Sequence, residues 1–265
     1  MGRAFWPLSL VVLSLVGLAT APAQALDLVL LTGANQSILT NDQNLNQRQT
    51  LAVSGVATPL IGIDVHPADR QLYGVSGDGN IYRIMTATGA ATWVSKLSAE
   101  FDASQGAIVD FNPVADRLRL IGMGGKINYR INVDNGQVAV DKPLNYSDKD
   151  ANKGKDPMVT AGAYINSVAG AKETQLFDID SMIGAYAIQD PPNDGILNTI
   201  GMTGMGSKWV EAIDIFTDAQ GNYTGLAVSG NVLYKLDVSK GTIASVGPIA
   251  SSPMKVIDVA ILPPR

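Results

Sequence analysis

The chain has 265 residues, 46% hydrophobic and 16% charged, a globular composition that excludes an extended disordered protein. It carries no cysteine and one histidine, which excludes disulfides, thiolate metal sites and cysteine nucleophiles and leaves His66 as the sole imidazole. A net charge of −5 argues against nucleic acid as a partner, and Lys149, Lys153 and Lys155 are interleaved with Asp148, Asp150 and Asp156 instead of forming a basic patch.

Residues 1–25 open with one positive charge at Arg3, continue through an apolar stretch from Leu8 to Ala19 and end in Ala23-Gln24-Ala25. This is the pattern of a secretory leader, and its apolar stretch falls short of the roughly 20 residues that a membrane-spanning helix needs. The expected mature chain is therefore one exported domain, residues 26–265, periplasmic or extracellular and without a transmembrane segment; a retained anchor is the alternative.

Residues 26–60 hold three strand-like segments, LDLVLLTGA, QSILTND and RQTLAVSG, with no preceding partner. Next comes the first copy of a repeat, IGIDVHPADRQLYGVSGDGNIYRI (61–84), which returns as IVDFNPVADRLRLIGMGGKINYRI (108–131). A weaker unit follows in VTAGAYINS, TQLFDID and GAYAIQD, and a clear one begins near Ala212. Each clear copy reads as four short strands separated by turns rich in Pro, Asp, Gly or Asn, with alternation as in Ile81-Tyr82-Arg83-Ile84. The period lies in the range of propeller blades. KVIDVAIL (255–262) resembles the first strand of a copy without successors, so it completes the N-terminal unit as its innermost strand. The fold class expected is all-β: a β-propeller, five four-stranded blades closed by a strand from the C-terminus. A sixth blade would have to hide between 141 and 210. An open sandwich or barrel would also show many short strands, but near-constant spacing favours radial blades.

These copies, together with Asp110-Phe111-Asn112-Pro113, Asp116-Arg117-Leu118-Arg119, Arg130-Ile131-Asn132 and Pro191-Pro192-Asn193, resemble the bacterial family known as domain of unknown function 4394. The resemblance covers essentially all of the mature chain. It implies an exported, propeller-like protein without an assigned activity, and it carries over no catalytic residues.

Several candidate sites follow. Asp64, Asp110, Asp214 and Asp258 stand in the first strands of four units, with Ala163 near that place in the fifth. Converging on the axis they could hold a hard cation such as calcium; alternatively each carboxylate accepts hydrogen bonds from nearby backbone. Asp148, Asp150, Asn152 and Asp156 place oxygens at alternating positions around Gly154, suggestive of a calcium loop but without its standard glycine and glutamate spacing. A solvated insertion is the simpler reading. Asn145, Tyr146, Asn166, Asn193 and Asn198 lie in the least regular stretch, 141–201, where loops on a rigid scaffold are natural recognition elements. Asp69-Arg70 and Asp116-Arg117 read as repeated aspartate-capped turns or local ion pairs. His66 is either a general base or, like its counterpart Asn112, a hydrogen-bonding turn residue. Neither G-x-S-x-G nor a phosphate loop is present.

The leading functional reading is a non-enzymatic recognition or scaffolding propeller whose partner is a protein, a peptide or an envelope component, with no cofactor required. A calcium-assisted hydrolase or lactonase-like enzyme at the channel is the alternative, and a purely structural envelope protein is a third.

Overall fold

The structure, a computed structural model, describes residues 1–2, 25–249 and 255–264. The leader expected at 1–25 therefore falls almost wholly outside the described residues. Blade I contains β1 (Asp27–Thr32), β2 (Gln36–Asn41) and β3 (Asn44–Ala52). Blade II is β4 (Leu60–Val65), β5 (Leu72–Ser76), β6 (Asn80–Ile84) and β7 (Ala91–Lys96). Blade III is β8 (Ala107–Asn112), β9 (Arg117–Gly122), β10 (Asn128–Ile131) and β11 (Val138–Val140). Blade IV takes β12 (Asn145–Tyr146), β13 (Val159–Tyr164), β14 (Leu176–Asp180), β15 (Ala185–Gln189) and β16 (Ile196–Met202). Blade V is β17 (Ala212–Thr217), β18 (Tyr223–Ser229), β19 (Val232–Leu236) and β20 (Ile243–Pro248), after which β21 (Val256–Ile261) returns to blade I.

The sheet orders make this a five-bladed propeller: β21-β1-β2-β3, β4-β5-β6-β7, β8-β9-β10-β11, β13-β14-β15-β16 and β17-β18-β19-β20. The C-terminal strand β21 pairs antiparallel with β1 and forms the innermost strand of blade I, so the two chain ends share one blade as the sequence predicts. No sixth unit hides in 141–210. Instead that stretch supplies β12, a two-residue strand that pairs in parallel with the outer strand β16. Among the described residues no helix is long and apolar enough to cross a membrane.

Burial follows the radial plan. Inner and second strands such as β5, β13 and β14 are buried at every position, whereas the outer strands β3 and β20 are mostly exposed. Radially packed sheets bury both faces against their neighbours, which explains apolar runs in place of strict alternation. The core accordingly divides into five clusters, one at each interface between adjacent blades. Val75, Val109 and Leu120 join blades II and III, while Ile179, Ile215 and Ala227 join blades IV and V. Each cluster ties a blade to the next, so the closed ring has no blade free to fray.

Candidate functional site at the channel mouth

The inner strands present their free edges to the axis, and a buried edge N–H needs an acceptor. Three aspartates supply it. Asp64 accepts Phe111 N–H of the next blade (2.6 Å) and Val65 N–H of its own (2.6 Å). Asp214 accepts Ile261 N–H of the next blade (2.6 Å) and Ile215 N–H of its own (2.6 Å). Asp110 accepts Tyr164 N–H (2.9 Å) through Oδ1. Ala163 and Ala260 occupy the equivalent positions in blades IV and I. The N–H groups just past them in the ring, Ile215 and Val65, therefore turn to the aspartate of their own strand. Three carboxylates thus serve five edge N–H groups, and Asp110 is left with one.

Asp258 does not share their level. It accepts Ile63 N–H (2.7 Å) and Val259 N–H (2.9 Å), two residues before Ala260, and so caps the next step down the channel. The structure brings Asp64, Asp110 and Asp214 together, each offering an oxygen within 4.8 Å of the others, and sets Asp258 apart.

All four carboxylates are buried, and burial pushes Asp64, Asp110 and Asp258 well above the usual carboxylate range. Neighbouring aspartates raise them further, because like charges resist joint ionisation. Asp214 is pushed up to about 6 by burial, against the pull of its two backbone donors.

Above this floor, where the chain leaves β4, β13, β17 and β21, lies a cavity of about 390 Å³. Asp64 and Asp214 contribute to its wall beside Val168, Ile215, Phe216 and Pro263, with His66 and Arg70 also in the lining. Below it, around Asp258 and Glu211, the free space shrinks to about 10 Å³.

His66 bridges blades II and III at the rim. Its Nε2 lies 2.6 Å from Asp116 Oδ1 and its Nδ1 lies 3.1 Å from Asp69 Oδ1. Its ring packs against Phe111 at 4.5 Å between centroids and edge-on to Tyr73. Asp69 also accepts Gln71 N–H (3.0 Å) and the Tyr73 hydroxyl (2.9 Å), an aspartate-capped turn. The two Asp-Arg pairs are not equivalent, however. Arg70 and Asp116 are the matching left-handed residues (φ 59° and 52°), each closing its turn onto the residue four before it. The second pair is shifted by one residue, which frees the Asp116 carboxylate for His66. Arg70 donates to the Pro264 carbonyl.

The other sequence candidates scatter. Asp148 pairs with Lys153 (2.8 Å) and Asp156 with Lys126 (3.3 Å), both carboxylates 91% exposed. Asp150 accepts the Thr199 N–H and hydroxyl as well as Asn152 N–H, and the Asn152 amide donates to the Thr199 hydroxyl (3.1 Å). These groups do not converge on one point; they fasten a loop to β16. Asn145 donates to the Pro143 carbonyl (3.0 Å), buried Tyr146 to Asp180 (2.7 Å) and Asn198 to the Asp190 carbonyl (3.1 Å). Asn193 accepts Arg119 (2.9 Å). Asn166 accepts the Tyr223 hydroxyl (3.1 Å) and donates to the Glu173 carbonyl (3.0 Å); of the five it alone adjoins the mouth, beside Ser167.

Sequence reasoning missed Arg119, which is buried between blades III and IV. It donates to Tyr164 (3.1 Å), Asn128 (2.8 Å), Asp141 (2.6 Å) and Asn193 (2.9 Å). The available signal was a charge inside the apolar run Leu118–Ile121. It also missed Asp178, wholly buried with neither oxygen hydrogen-bonded, whose carboxyl burial pushes up to about 8.

Residues 37–260 match the sequence family described as "Domain of unknown function (DUF4394)". No functionally curated protein matches the chain. Among solved structures, it is similar to a protein of unknown function from Bacteroides thetaiotaomicron, with 17% identity and TM-score 0.49 over 91% of this chain and 65% of that one. A protein of unknown function from Bacteroides caccae matches with 7% identity and TM-score 0.48 over 90% of this chain and 99% of that one. The chain thus spans about two thirds of the length of the first.

Proposed function

We propose that this chain, which belongs to the DUF4394 family, is an exported recognition protein that takes its ligand at the mouth of the propeller channel. The observation that carries this reading is the cavity of about 390 Å³, walled mainly by apolar side chains with a few placed polar groups. That size and composition suit a small-molecule site or the pocket for one side chain of a partner. The export half of the proposal rests on the secretory pattern of residues 1–25. Of the 141–201 stretch, Ser167, Val168 and Ala169 line the mouth, whereas Asn145, Tyr146, Asn193 and Asn198 bond within the protein away from it, which favours the mouth as the recognition surface.

The test is native mass spectrometry of the mature chain after incubation with an envelope extract, beside an Ala169→Trp variant that fills the mouth. A ligand retained by the parent and lost by the variant supports the reading. Equal retention by both overturns it.

A calcium-assisted hydrolase is the second reading, supported by the three carboxylates within 4.8 Å of one another. It expects about one calcium per chain by elemental analysis, activity lost on chelation and a strong defect in Asp64→Asn. Absence of metal from calcium-resupplied protein would sink it.

A further inference from the structure

We infer that the mouth cavity takes a small molecule with an apolar body and a primary ammonium head, the head held by Asp64 and Asp214 of its wall with Asp110 beside them. The inference rests on the mouth being the ligand site and adds the chemical class of the ligand. Three features carry it.

The first is donor and acceptor matching. Asp64 and Asp214 use both oxygens on edge N–H groups, but each oxygen keeps a second lone pair. Asp110 is 3% exposed and accepts one N–H, that of Tyr164, through Oδ1. Oxygens up to 4.8 Å apart leave a common centre up to about 2.8 Å from each, the length of a charge-assisted N–H···O bond. A primary ammonium brings three N–H donors to three carboxylates. Calcium asks for six to eight oxygens at about 2.3–2.6 Å, more than acceptors already engaged by five N–H groups supply.

The second is the wall. Val168, Ile215, Phe216, Pro263 and Pro264 give the cavity an apolar body with room for a short hydrocarbon or a single ring. The third is polarity along its depth. Arg70 stands in the lining, tied to the Pro264 carbonyl, while the buried carboxylates belong to the strands beneath. A cationic head is therefore drawn to the floor and its apolar tail faces the opening.

The groups that set the pH dependence are Asp64, Asp110, Asp214 and Asp258 on the inner strands, with His66, Arg70 and Asp218 around the mouth. Burial holds protons on the carboxylates, so an arriving ammonium must displace them and affinity weakens as pH falls below about 6, where Asp214 is protonated.

Calorimetric titration of the unmodified mature protein with hexylamine, hexanol and hexanoate at pH 7.5 tests the class. Hexylamine is expected to bind at least tenfold more tightly than hexanol, hexanoate not to bind, and hexylamine affinity to fall at least tenfold at pH 5. Asp214→Asn should weaken hexylamine by a similar factor with the melting temperature recorded beside it; if that variant fails to fold, the three probes on the parent protein decide. Hexanol binding as tightly as hexylamine overturns the ammonium class and leaves the mouth as a ligand site. Calcium binding that excludes hexylamine overturns it in favour of a metal. If no probe binds, the class fails, and Ala169→Trp then decides separately whether the mouth reading stands.

Discussion

Around the axis, Asp64 and Asp214 each accept two edge N–H groups, whereas between blades III and IV Asp178 is equally buried and accepts none. The axial carboxylates answer a need that every blade creates, an inner edge without a paired strand, so the same residue type serves again in three of the five blades. The III–IV interface has no such template. Arg119 gathers four side-chain acceptors there, and Asp178, which feels its charge but makes no hydrogen bond to it, keeps a proton instead. A buried carboxyl in this fold finds hydrogen-bond partners where the backbone geometry of the repeat supplies them. Otherwise it needs a network assembled from unrelated positions.

The largest expected effect comes from breaking that network. Arg119→Met should lower the free energy of unfolding by about 3–5 kcal/mol, because it strands the acceptors of Asn128, Asn193 and Tyr164 in the interior. Asp141 keeps Arg130, whose Nε and Nη2 lie 2.7 and 2.9 Å from it, which limits the loss. Urea denaturation measures this. A change below 1 kcal/mol would mean that the interface is held by its apolar cluster alone.

The axial set makes a finer prediction. Asp64→Ala leaves two edge N–H groups without an acceptor and Asp110→Ala leaves one, so the first should cost about 2 kcal/mol and the second about 1 kcal/mol. If the two variants lose equally, mutual repulsion of the carboxylates outweighs backbone capping.

Asp178 separates the two regions by pH. Its native carboxyl stays protonated up to about 8, whereas the unfolded acid ionises near its ordinary value, so between those limits the native state binds more protons. Stability therefore falls as pH rises through that window, by at most about 1.4 kcal/mol per unit for this group. Asp214 acts in the same direction up to about 6, as do Asp64, Asp110 and Asp258. The protein should melt at a higher temperature at pH 5 than at pH 8, and Asp178→Asn should flatten the upper part of that slope. A melting temperature that rises over this range would overturn the assignment.

What could be read from sequence divides along the same line. The propeller, its blade count and the C-terminal closing strand were legible because repetition and turn chemistry are local signals that recur. The positions of Asp64, Asp110 and Asp214 were legible for the same reason. Their level was not: Asp258 looks equivalent by its place in a matching strand, but register at the ring closure puts Ala260 there and drops Asp258 one step down the channel. The one-residue offset between the two Asp-Arg pairs hid the same way, since only the left-handed turn residues reveal it. Arg119 and Asp178 are single events in apolar strands, and the partners of Arg119 lie 9 to 74 residues away, a pairing no local pattern records.

The smallest effects test the loop that most resembles a calcium site. Asp148 and Asp156 point outward to Lys153 and Lys126 and are almost fully exposed, so Asp148→Asn and Asp156→Asn should leave the melting temperature unchanged, with or without calcium. Asp150→Asn should lower it by a few degrees, because that carboxylate holds the Thr199 N–H and hydroxyl on the outer strand and the Asn152 N–H within the loop. Unequal responses from three aspartates in one loop are the signature of separate structural contacts. If calcium raised the melting temperature and all three substitutions abolished that rise together, the loop would be a cation site, and the repeat-built floor of the channel would no longer be the principal place where this protein gathers carboxylates.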